Sequence, residues 1–92
     1  MKMTKKEKEV YKLYAECVLK AMDFAISEKW QDSVFYDGMA LGIEKSAFIF
    51  IPFRSEFAAL FERTYQVYVD YVNGNSEYEF NEVVTIIKEG RA

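Results

Sequence analysis

The sequence predicts an all-α domain, a compact bundle of about four helices, on three observations. Apolar residues recur with helical period along most of the chain. Turn and capping residues divide it into segments of helical length. The composition is that of a folded core: 51% of residues are hydrophobic and 29% charged. The 92 residues fit a single domain, 1–92, with no internal repeat, linker or low-complexity stretch. A chain this short buries only about 60% of the surface its unfolded form exposes. Its eight Phe and seven Tyr exceed what such a core needs, and the excess is surface available to a partner.

The first helix is expected from Thr4 to about Lys29. Glu9, Lys12, Glu16, Lys20, Asp23 and Ser27 form one narrow polar strip. Val10, Tyr14, Cys17, Ala21 and Phe24 lie opposite, and Tyr11, Ala15, Val18, Leu19, Met22 and Ile26 widen that face. An apolar arc of about two-thirds of the circumference is broader than a surface helix uses. The helix is therefore central, or packs on two sides.

The segment after it is ambiguous. Asp37-Gly38 is a hairpin-turn dipeptide, and Ala47 to Ile51 has strand-like composition, so a small β-meander in 33–53 is an alternative. As a helix, the segment starts at a capping Asp32 and ends at Pro52. It places Phe35, Met39, Ile43, Ala47 and Phe50 on one stripe, and Gly38, Gly42 and Ser46 in a small-residue groove where another helix could approach. Large and small residues then both fall in register, which favours the helix. Val34, Leu41 and Phe48 recur every seven residues on the otherwise polar face with Asp37, Glu44 and Lys45. Such a stripe marks a second contact surface.

The third helix spans Ser55 to Asn73, with Ser55 as N-cap and Gly74 in the left-handed position beyond its end. Asn73-Gly74-Asn75 is a turn. Ser76 and Glu79 form a capping box for a last helix whose Phe80, Val83, Val84 and Ile87 share one face, ending at Gly90.

The residue inventory restricts the chemistry. There is no histidine, which removes the usual general base near neutral pH and the commonest metal ligand. One cysteine, Cys17, forms no internal disulfide and fits no structural zinc pattern; on the apolar face of the first helix it packs as a small hydrophobe. No phosphate-binding glycine loop is present, and the carboxylates read as a solvated face. No catalytic residue, cofactor or metal is expected. Without disulfides, a signal peptide or a spanning apolar run, a soluble cytoplasmic protein is expected.

Net charge is −3, against the basic footprint that nucleic-acid binding requires. The charge is uneven: Lys5, Lys6, Lys8 and Lys12 crowd the start, while Glu62 and Asp70 belong to an acidic later half with tyrosines at 65, 68, 71 and 78. The leading expectation is a small non-enzymatic protein-binding module, a regulator or inhibitor working through an acidic, aromatic-rich surface and self-associating as a homodimer. A phage or mobile-element protein that blocks a host or defence enzyme has this size and style. Its candidate contact residues are Val34, Leu41, Phe48, Glu62, Gln66 and Asp70. One alternative is a nucleic-acid-associated protein using Lys5, Lys6, Lys8 and Lys12; another is a helical oligomer that sequesters a small ligand.

Overall fold

The computed structural model describes residues 2–51 and 55–92. Among them are four helices and no strand: α1 (Lys5–Ile26), α2 (Trp30–Ala47), α3 (Glu56–Val72) and α4 (Phe80–Glu89). The all-α bundle expected from the periodicity is what forms. The β-meander alternative fails: 33–47 is continuous helix, and 48–51 is a set of tight turns closed by bonds back to Lys45, Ser46 and Ala47. Pro52, read as the end of that helix, lies outside the described residues.

Local chemistry sets most of the ends. Thr4 Oγ1 accepts from the Glu7 N–H at 3.1 Å, and Glu7 Oε1 accepts from the Thr4 N–H at 2.9 Å, a reciprocal box that starts α1. The helix stops at Ile26, three residues before the expected Lys29. Glu28 takes a left-handed φ of 59° there, and the Lys29 N–H returns to the Phe24 carbonyl. Ser55 caps α3 as expected, accepting from the Ala58 N–H at 3.1 Å. Gly74 holds the left-handed position expected of it, at φ 76°, and Gly90, at the expected end of α4, is also left-handed at φ 68°.

Two expected caps are displaced. Asp32 lies inside the first turn of α2, where its charge suits the positive end of the helix dipole, and the cap position is Lys29. Ser76 does not cap α4. Its hydroxyl accepts from the Tyr78 N–H in a local turn, and the box forms three residues later, with Glu82 reaching back to the Glu79 N–H at 3.3 Å.

Helix α1 is the central element, touching each of the other three, with α2 in the most extensive contact. Its wide apolar arc is thus used on several sides. Tyr14, Val18, Ala21 and Met22 are fully enclosed, together with Leu60, Phe61 and Thr64 of α3 and Val83 and Ile87 of α4. The two buried phenols of α1 are satisfied. Tyr14 donates to the Phe61 carbonyl at 3.1 Å, and Tyr11 donates to the Ile87 carbonyl at 2.6 Å while accepting from Thr64 Oγ1 at 3.0 Å. Aromatic rings of α1 and α3 meet edge to face, Tyr14 against Phe61 at 4.7 Å between centroids.

Candidate protein-interaction site

Helix α2 packs differently from the others. It buries only Ser33, Ala40 and Ala47, small residues seven apart, and the Ser33 hydroxyl donates across to the Ala21 carbonyl of α1 at 2.8 Å. Small side chains on both helices let the backbones approach closely. The larger Tyr36 and Ile43 flank this seam and reach the core half-buried. Tyr36 stacks on Phe24 at 5.6 Å between ring centroids, and the Lys20 ammonium lies over the Tyr36 ring at 5.1 Å.

This seam turns the expected stripe outward. Phe35, Met39 and Phe50, placed by the sequence on one large-residue stripe, are exposed, Phe35 at 61%. Only Ala47 of that stripe is buried, with Ile43 halfway. The groove of Gly38, Gly42 and Ser46 receives no helix: all three are exposed, and a Cβ built on either glycine meets nothing within 4 Å. The reason is that α2 is apolar around most of its circumference, so more than one face could be buried. The face with the smallest side chains fits the alanines of α1.

What remains is a broad apolar surface. Val34 (67% exposed), Phe35, Met39, Leu41, Ile49 (86% exposed) and Phe50 stand out from α2 and the turns after it. Leu13 on α1 continues it, and Ile26 and Trp30 extend it at the α1–α2 corner. Between α1 and α2 runs a groove of about 380 Å³ lined by Val10, Leu13, Met39, Gly42, Ser46 and Phe50 among others. Lys6 of α1 closes over the Phe50 ring at 4.6 Å.

The six residues singled out for partner binding do not form one surface. Val34 and Leu41 are exposed on this face, and Phe48 at its end is half-buried. On α3, Glu62 approaches Glu44 of α2. Gln66 is exposed and donates to Asp70 Oδ1 at 2.7 Å, while Asp70 lines a separate recess with Val67 and residues 75–78. Of the tyrosines in this half, Tyr68 is buried, Tyr65 and Tyr71 are half-buried, and Tyr78 is exposed. Lys5, Lys6, Lys8 and Lys12 are all exposed on α1. Lys6 leans toward α2, whereas Lys12 borders a different groove with Glu16, Leu19, Val84 and Lys88.

The remaining polar groups are held in ways that quiet them. Burial and then Glu16 push the Cys17 thiol above its ordinary range, against a smaller opposing pull from Lys20. The Tyr65 hydroxyl donates to Asp37 Oδ1 at 2.7 Å, bridging α3 to α2. Burial and the neighbouring Glu62 raise Glu44, with Lys45 opposing. Among the described residues, no cluster is arranged to hold a metal ion, and every buried side-chain oxygen or nitrogen has a partner. No helix there is long and apolar enough to cross a membrane.

Sequence reasoning found Val34 and Leu41 but missed Phe35, Met39, Ile49, Phe50 and Leu13. A signal for the first two was present. Ser33, Ala40 and Ala47 also recur every seven residues, and a seam of small residues buries a helix whose large residues then face out. Comparison of the chain with protein-family models, with curated proteins and with solved structures finds no match, and the apolar face of α2 stands as the site to be explained.

Proposed function

We propose that this chain is a non-enzymatic protein-binding module, a regulator or inhibitor that acts by contact, and that its contact surface is the outer face of α2. The observation that carries this reading is the set of large apolar side chains left exposed on α2 and the turns after it, Val34, Phe35, Met39, Leu41, Ile49 and Phe50. Soluble monomers rarely leave more than a few hundred Å² of contiguous apolar surface exposed, and larger patches mark interaction sites. The acidic surface of α3 supports the reading less. Glu62 and Asp70 diverge, and Gln66 is already engaged with Asp70. The raised Cys17 thiol and the half-buried carboxylate Glu44 supply no nucleophile–base pair.

Substitution on the exposed face tests the reading. Val34→Glu and Phe35→Glu should keep the helical circular-dichroism spectrum and unfold within a few degrees of the wild type, because neither side chain is buried. Both should abolish retention of whatever protein the wild type holds in a tagged capture, a second copy included. A wild type that stays monomeric and retains no protein sinks the proposal. So does retention that survives both substitutions, or retention of nucleic acid that depends on Lys5, Lys6 and Lys12.

A further inference from the structure

We infer that the occupant of the α2 face is a second copy of this chain, seated about a two-fold axis so that two α2 helices cross at Gly38 and Gly42. The inference rests on the protein-binding reading above and names the partner.

Area is the first argument. The nine exposed apolar side chains of α2, the following turns and the adjoining part of α1 are between 39% and 86% exposed. With large aromatic side chains carrying 150–250 Å² each, they offer on the order of 1,000 Å². A stable protein–protein interface needs about 800 Å² from each partner. The patch is large enough for a dimer.

Shape is the second. The face carries a trough and a ridge side by side. Gly38, Gly42 and Ser46 leave the backbone bare along one line. Phe35 and Met39 stand along one side of that line and Leu41 along the other, while Val34, four residues before Gly38, closes its N-terminal end. A surface holding both halves of a ridge-and-groove fit is complementary to itself, which is what an isologous two-fold contact requires. The ridge of one copy enters the trough of the other, and the bare glycines let the backbones close up.

Charge is the third. Around α2 from Leu41 through Gly42 to Met39, Lys45 is the one charged residue. A strongly charged partner finds little to pair with there. Parallel packing would set the two Lys45 side chains level with one another. Antiparallel packing separates them and places each helix N-terminus beside the other's C-terminus, the orientation that helix dipoles favour.

The test is sedimentation equilibrium of the full chain from about 1 to 100 µM, the range of a moderate protein–protein affinity. The wild type should give twice its 10.8 kDa chain mass at the upper end. The double variant Gly38→Leu, Gly42→Leu fills the trough at positions where no neighbour obstructs a side chain. It also exchanges two poor helix formers for good ones, so the isolated chain should melt no lower than wild type. It should nevertheless sediment as a monomer throughout, with dimer affinity reduced at least 100-fold. Phe35→Glu, which leaves the trough open, should also be monomeric.

Three outcomes overturn the inference. A wild type that remains monomeric at 100 µM does so; if it also retains a different protein that Phe35→Glu loses, the broader protein-binding reading survives. A dimer of undiminished affinity in the leucine variant places the contact elsewhere. A monomer that co-floats with vesicles of phosphatidylcholine and phosphatidylglycerol, and loses them on Phe35→Glu, assigns the face to a lipid surface.

Discussion

One phenol ties three helices together. Tyr11 of α1 donates to the Ile87 carbonyl near the end of α4 and accepts from Thr64 of α3, all within the core. Tyr11→Phe removes the hydroxyl, leaving the buried Thr64 hydroxyl without its acceptor and the Ile87 carbonyl with only the long bond from the Gly90 N–H, at a cost of about 1–3 kcal/mol. Urea denaturation checks this, with an unchanged m-value expected because the compactness of both states is kept. Gly90 meets the same ring: a Cβ there would lie 3.3 Å from Tyr11 Cε2, at a left-handed φ of 68°. Gly90→Ala should therefore destabilise by about 1–2 kcal/mol, the left-handed penalty of an L-residue. Glu44 behaves in the opposite sense to a paired carboxylate. Burial and Glu62 raise it above its ordinary 4.5, so the folded chain holds that proton more tightly than the unfolded chain. The stability this adds is complete below the ordinary value and is lost as pH rises through the raised one. Glu44→Gln should accordingly melt higher than wild type at pH 7 and with it at pH 4, a difference that thermal scans at the two pH values resolve.

At the scale of the element, α1, α3 and α4 were legible and α2 only in part. Ser55, Gly74 and Gly90 act locally, through one hydrogen bond or one positive φ, and local chemistry can be read from a local sequence. The polar strip of α1 likewise has one solution. Helix α2 has several. Its large residues at 35, 39 and 50 and its small ones at 33, 40 and 47 both follow helical spacing, and neither pattern says which is inside. That choice is made by Ala21 and Ala25 on α1, whose small side chains admit a close backbone. The candidate site was legible to the same degree. Val34 and Leu41 follow from the heptad, whereas Phe35, Met39 and Phe50 follow only once the seam is known. Ala40 is the point on which the seam turns, fully buried between the two helices. Ala40→Leu should force α2 off α1 and cost at least 1–3 kcal/mol, the usual range for overpacking. The same leucine at Gly42, two residues on and about half a turn round on the outer face, should not destabilise the chain at all. The contrast between the two in thermal melts checks which side of α2 faces in.

For the molecule as a whole, the fold is a hub and three neighbours. Helix α1 contacts every other helix; α1, α3 and α4 hold the large aromatic and aliphatic core residues, whereas α2 buries three small ones. Cys17, enclosed at the hub with its thiol pushed upward, should resist Ellman's reagent in the folded chain and react at once in urea, a check on the integrity of the whole packing. Few buried apolar contacts mark the parts of a protein that open first. A helix whose fully buried side chains are two alanines and a serine should therefore open before α1, α3 and α4 do. Its amides should exchange with deuterium sooner than those at the centre of α1. If a second copy clamps it from outside, that exchange slows as the protein is concentrated, so the residence of α2 on its own molecule becomes a property of the population rather than of the single chain.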